Sequence, residues 1–180
     1  MATSVMRVSL CLFWAIAANA QPPAYEDAAQ KAGIPAVVLY AVALQESGIT
    51  LRGQTIPWPW TLNIAGASYY YPTRAQACSA IQTALEQVAP TRIDAGLAQL
   101  NLGYQQHHYQ HPCELLNPYR NLAVAASILR QHYRPEESWL AAIGRYHRPA
   151  GGELAVRYRN RVSVHLARLT HQSPTGSRSQ

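Results

Sequence analysis

The sequence predicts a mainly α-helical (α+β) single domain carrying one small β-hairpin. Three observations lead there. Apolar residues recur at helical spacing in successive stretches punctuated by proline and glycine. Only one pair of strand-forming runs, Trp60–Ile64 and Ser68–Tyr71, flanks a short turn at Ala65-Gly66-Ala67. Setting aside residues 1–20 and a polar end at 173–180, about 150 residues (21–172) remain, the size of one domain with a real core. No repeat and no interdomain linker interrupts them.

Residues 1–20 have the layout of a secretory signal peptide. Arg7 supplies the positive region, Val8 to about Ala17 the apolar region, and Ala18-Asn19-Ala20 a small-residue cleavage site before Gln21. An exported, periplasmic protein is the expectation, with no membrane span after cleavage because no later stretch is long and apolar enough. Cys11 leaves with the signal, and the remaining pair, Cys78 and Cys113, favours a disulfide over two buried free thiols in an exported chain.

The first element is a short helix from Pro23 to Lys31, closed by Gly33. Ile34 to Leu44 is an almost unbroken apolar run, with Pro35 suited to a first helical turn and Gly48 to the position past the end. A buried helix from Pro35 to about Ser47 follows, with Glu46 in its last turn. Gly53–Pro59 reads as loop, and the hairpin comes next. Thr73-Arg74-Ala75-Gln76 fits a capping box, opening a helix whose face carries Cys78, Ile81, Leu85 and Val88 and which Pro90 ends.

Arg92–Asn101 is short and mixed, and Gly103–Pro112 is polar, aromatic and rich in histidine. Asn117-Pro118 is an N-cap followed by proline, starting a helix to about Tyr133 with Leu122, Ala125, Ala126, Leu129 and Tyr133 inward. A further helix spans Glu136–Tyr146, with Trp139, Ile143 and Tyr146 on one face. Gly151-Gly152 precedes the last helix, Glu153 to about Thr170, with Leu154, Tyr158, Val162, Leu166 and Leu169 on one side and Arg157, Arg161 and Arg168 beside them. Ser173–Gln180 has the composition of a disordered tail.

The net charge of +6 is carried mostly by arginine, seven of which lie from Arg145 to Arg178 against one acid, Glu153. That region suits an anionic polymer or a membrane surface, or is simply a solvated face. Nucleic acid is not expected as a partner: the chain reads as exported and has no groove-reading helix, aromatic RNA-binding motif or finger spacing.

Glu46 is the first candidate for chemistry. An apolar surround and the negative end of the helix dipole both disfavour its charged form, the condition a general acid needs near neutral pH. The alternative is an ordinary glutamate at a fraying helix end. A serine or cysteine nucleophile has no support, since there is no G-x-S-x-G elbow. His107, His108, His111 and Cys113 are compact, yet Pro112 intervenes and no H-E-x-x-H context exists, so neither metal nor cofactor is expected and the segment reads as a polar loop.

Glu46-Ser47-Gly48, Gly96-Leu97-Ala98-Gln99-Leu100-Asn101 and Ala142-Ile143-Gly144-Arg145-Tyr146-His147 are each weak alone. In this order, with helices between them, they resemble the soluble lytic transglycosylases, which cleave peptidoglycan on a lysozyme-like fold. The resemblance runs from about Tyr25 to Leu169. The tryptophan-rich hairpin and the Thr73 helix look more like the variant linked to conjugation and to type IV secretion or pilus systems.

The resemblance implies Glu46 as the single catalytic acid/base and Ser47 as the serine beside it. It implies Gly96, Leu97, Gln99 and Asn101 as the second motif, whose glutamine faces the sugar cleft, and Tyr146 as the tyrosine hydrogen-bonding near the carboxylate. Ala98 stands where methionine is usual, implying a roomier floor, and His147 replaces the usual asparagine with a titratable ring. Trp58, Trp60 and Tyr104 are candidates for stacking on sugars, or for packing. Arg145 and Arg148 are candidates for carboxylates of the substrate, or surface charge.

Peptidoglycan strands are the partner implied, with components of a secretion apparatus beside them. Three rivals stand against this reading: a lysozyme-type hydrolase using Asp94 as the second carboxylate, a silent peptidoglycan-binding assembly factor, and an exported basic protein acting through its arginines alone.

Overall fold

The first two helices set the frame. In the computed structural model, which describes residues 21–171, α1 (Pro23–Ala32) ends at Gly33 and α2 (Ala36–Ser47) follows. The expected signal peptide and the tail at 173–180 lie outside the described residues. Pro35 serves as the N-cap of α2, one position before the first turn where it was expected. α2 buries Val38, Leu39, Ala41 to Leu44 and Ser47, nearly its whole circumference, as an all-apolar helix must in water. It packs against α1, α4 (Pro118–His132) and α6 (Glu153–His171).

At Gly48 the chain turns straight from α2 into a strand, and a Cβ there would lie 2.3 Å from the Leu44 carbonyl oxygen. The helix end and the entry to β1 therefore require glycine.

The β portion is larger than one hairpin. β1 (Gly48–Leu51) and β2 (Gln54–Pro57) form a two-stranded sheet, β2 lying in the stretch Gly53–Pro59 expected as loop. Its two-residue turn, Arg52-Gly53, has both φ angles positive (50° and 79°), the geometry that matches the twist of paired strands. The expected hairpin is present as β3 (Thr61–Ile64) and β4 (Ala67–Tyr70), turning at Ala65-Gly66. β5 (Ile93–Ala95) and β6 (Leu100–Asn101) extend it to a sheet of order β4-β3-β5-β6. The register aligns Leu62, Ala95 and Leu100 on one face, all buried, and Asn63, Asp94 and Asn101 on the other.

Thr73 caps α3 (Arg74–Leu85), its hydroxyl accepting from the Gln76 amide at 3.3 Å, while the Gln76 side chain meets that hydroxyl rather than the backbone. The buried face of α3 is Ala77, Ile81 and Ala84, one position round from the stripe expected through Cys78 and Leu85. Cys78 sits on the flank and forms the disulfide with Cys113 in the 3₁₀ turn Pro112–Leu116. Closing a loop of 35 residues, it stabilises by about 4 kcal/mol in the chain-entropy account. A Cys78→Ser, Cys113→Ser variant is expected to lose about that much in denaturant unfolding under oxidising conditions, and reductant should remove the same amount from the parent.

Asn117 caps α4 as expected, accepting from the amides of Tyr119 (3.0 Å) and Arg120 (3.2 Å). α5 (Trp139–His147) starts three residues later than expected, with Ala142, Ile143 and Gly144 buried. α6 buries Ala155, Tyr158 and Val162, and Leu154, expected inward, is exposed. The described helices and small antiparallel sheets bear out the α+β class. No helix among the described residues is long and apolar enough to cross a membrane.

Candidate active site

Glu46 projects from the last turn of α2. The Tyr158 hydroxyl, from α6, donates to Glu46 Oε1 at 2.6 Å. Burial pushes the carboxyl up to about 7; the Tyr158 bond opposes that shift, the Asp94 charge adds to it, and the Arg161 charge opposes it. The residue as a whole is half-buried while protein atoms surround the carboxyl itself. A glutamate in this setting holds a proton near neutrality and can release it.

Tyr158 was legible only as part of the inner stripe of the last helix. Its signal was the hydroxyl: a tyrosine on a buried stripe needs a polar partner, and this one uses Glu46. Burial, followed by the charge of Glu46, raises the phenol well above its ordinary value, so it stays a donor. Its ring is stacked on His147 (centroids 4.3 Å, planes 5° apart), and the Arg161 guanidinium carbon lies 6.0 Å from the same ring. His147 is exposed, and burial of its stacked face together with the Arg161 and Arg148 charges lowers its basicity.

The loop between β5 and β6 forms the second wall, and several groups hold its shape. Gly96 has φ +84°, and a Cβ there would fall 2.3 Å from Asn121 Nδ2 and 2.8 Å from the Leu115 carbonyl, so both backbone conformation and space exclude a side chain. Asn121, fully buried on α4, accepts from the Ala98 amide (2.9 Å) and donates to the carbonyls of Ala95 (2.9 Å) and Leu115 (2.8 Å). Ser47, also fully buried, donates to the Leu97 carbonyl at 2.7 Å, tying the end of α2 to the loop. The Tyr146 hydroxyl donates to the Ala98 carbonyl at 2.7 Å. Thus Ser47, Leu97 and Tyr146 converge with Glu46, and the hydroxyl on the carboxylate itself is that of Tyr158. Ala98 is fully buried, and its amide is the one bound by Asn121.

Gln99 adopts φ +45°, and its amide nitrogen donates to the carbonyls of Thr61 (3.0 Å) and Gly96 (2.9 Å). Asn101 donates to Asp94 Oδ1 (2.8 Å) and the Thr91 carbonyl (2.9 Å). Burial raises Asp94 against the Asn101 bond. Asp94 is thus a second carboxyl whose charge reaches Glu46, positioned by a residue of the expected motif.

Other candidates have structural employment. Trp58 donates to the Tyr71 carbonyl (2.7 Å) and meets Trp60 edge to face, so both brace the hairpin, whereas Tyr104 is exposed. Arg145 bonds Glu137 and the His132 carbonyl (2.7 Å), joining α4 to the entry of α5. His107 and His108 lie in a 3₁₀ turn, Gln106–His108, with their rings in contact, so the helical spacing to His111 does not form. His111 lies with Cys78 and Cys113 within 4.8 Å, but the two sulfurs are bonded to each other and offer no thiolate to a metal.

The transglycosylase SLT domain family matches residues 23–163. No curated protein and no solved structure matches the chain.

Proposed function

Because the chain belongs to the transglycosylase SLT domain family, whose members are lytic transglycosylases acting on peptidoglycan, we propose that it cleaves the MurNAc–GlcNAc β-1,4 bond with formation of a 1,6-anhydromuropeptide. The observation that carries the reading is the buried Glu46 carboxyl, pushed up to about 7 and held by Tyr158. Glu46 donates its proton to the glycosidic oxygen as that bond breaks and positive charge develops at C1. The 2-acetamido carbonyl of the sugar supports C1, replacing the second carboxylate most glycosidases use. Glu46, now ionised, takes the proton of the sugar's 6-hydroxyl as O6 bonds to C1, which regenerates the acid without water.

Ser47, Gly96, Leu97, Gln99, Asn101, Tyr146 and His147 position the loop and the cleft around that exchange. Action on peptidoglycan accords with export. Local opening of the wall for a conjugation or type IV secretion apparatus is the role we assign, on the resemblance of the hairpin and the α3 region to that variant. One observation favours a second reading, a muramidase: Asp94 lies close enough for its charge to act on Glu46, and would activate water.

Tyr158→Phe tests Glu46 as the acid. The Tyr158 bond favours the carboxylate, so its loss raises the Glu46 pKa further. The alkaline limb of kcat/KM, set near pH 7 in the parent, should move to higher pH while the maximum falls about tenfold. A limb that stays in place would mean another group supplies the proton.

A further inference from the structure

We infer that Arg161, with Arg148, forms a cationic seat beside the Glu46–Tyr158 pair for a carboxylate of the peptide stem, so that the protein recognises charged, peptide-bearing glycan. This rests on the peptidoglycan reading above and names which part of the polymer the cleft rim takes.

The arginines of the C-terminal half differ in how they are used. Arg145 is held by Glu137 and a carbonyl, Arg134 also reaches Glu137, Arg120 pairs with Glu114, and Arg157 pairs with Glu153 along α6. Arg148, Arg159, Arg161 and Arg168 are exposed and enter no salt bridge among the described residues, and of these Arg161 is the one whose charge acts on Glu46. The charges of Arg161 and Arg148 both act on His147, whose ring stacks on Tyr158. Arg161 follows Tyr158 by one helical turn and rests 6.0 Å from its centroid, while Arg148 adjoins His147, which stacks on Tyr158. The other end of that ring holds Glu46.

The Arg161 charge therefore acts on the candidate acid, the Arg161 and Arg148 charges both act on the stacked His147, and neither guanidinium enters a salt bridge among the described residues. The position of Arg161 has a cost for chemistry, since its charge favours the ionised form of Glu46 when the acid must be protonated. A bound anion removes that penalty. N-acetylhexosamine rings are uncharged, so in intact peptidoglycan the complementary charge is carried by the stem, and a guanidinium fork matches a carboxylate in two parallel hydrogen bonds. Arg145, the other arginine expected to meet substrate, is already occupied.

The test uses binding, so that it stands apart from turnover. Glu46→Gln protein would be titrated calorimetrically with a tetrasaccharide bearing peptide stems, and with the same compound after its stem carboxylates are converted to amides. The charged ligand is expected to bind about tenfold tighter at low salt, with the ratio shrinking as ionic strength rises. Adding Arg161→Gln and Arg148→Gln should bring the ratio close to one, and Arg161→Lys should restore only part of it. Equal affinity for the two ligands, a ratio that survives both substitutions, or no binding of either ligand would overturn the inference. A protein that shows the ratio but makes no anhydro product would retain the seat and lose the proposed reaction.

Discussion

Glu46→Gln is expected to lower turnover on peptidoglycan by at least about a thousandfold while leaving the fold intact, because it removes the proton donor and keeps an acceptor for the Tyr158 hydroxyl. The same substitution should stabilise the protein at alkaline pH. An ordinary glutamate titrates near 4.5 in the unfolded chain and Glu46 near 7 in the fold. Between those values the folded state binds the extra proton, so stability falls as pH rises through that window and levels off above it. At pH 8 the parent carries the full cost of an ionised buried carboxyl, on the order of 3 kcal/mol. Glutamine has no such cost. Urea unfolding at pH 4.5 and 8 should therefore give nearly equal stabilities for parent and variant at the lower pH, and a more stable variant at the higher. A variant no more stable at pH 8 would mean that the carboxyl is not desolvated as described.

Asn121→Ala carries the largest expected loss of stability. The side chain is fully buried and satisfies one amide and two carbonyls around the β5–β6 loop. Deleting it strands all three away from water and leaves a void against Gly96, a combined cost of roughly 5 kcal/mol. For a chain of this size that is a fall in Tm of about 10–20 °C by scanning calorimetry. Because the Leu97 and Ala98 carbonyls of this loop receive Ser47 and Tyr146, activity should also fall at temperatures where the variant remains folded. A shift of only a few degrees would show that water replaces the lost bonds and that the loop is held by its other ties.

Much of this arrangement is written locally. The apolar run into Glu46, the Asn117-Pro118 start of α4 and the Thr73 cap were legible because each is a short-range rule acting on neighbouring residues. The first hairpin was not. Its turn, Arg52-Gly53, lacks the Asn-Gly or Asp-Gly signature, and its strands gain their pairing from the direct exit of α2 at Gly48. β5 and β6 are too short to show alternation, and they form because β3 offers an edge.

In the site, Glu46 was marked by the apolar run before it and the β5–β6 loop only by its resemblance to a family motif, whereas Tyr158 could not be linked to Glu46. The two are 112 positions apart and meet only when α6 packs on α2. Asn121 was hidden for a similar reason, appearing as one polar residue in an otherwise amphipathic helix. Arg145 and Arg161 are alike in sequence, and only the tertiary contacts show which of them is engaged.

Product analysis tests the central claim most directly. Purified peptidoglycan would be incubated with the protein and with its Glu46→Gln variant, and the soluble fragments weighed by mass spectrometry. The account predicts 1,6-anhydromuropeptides from the parent and none from the variant. Muropeptides with ordinary reducing ends, heavier by one water, would contradict it, and would turn attention to Asp94→Asn as the variant that removes the water-activating base.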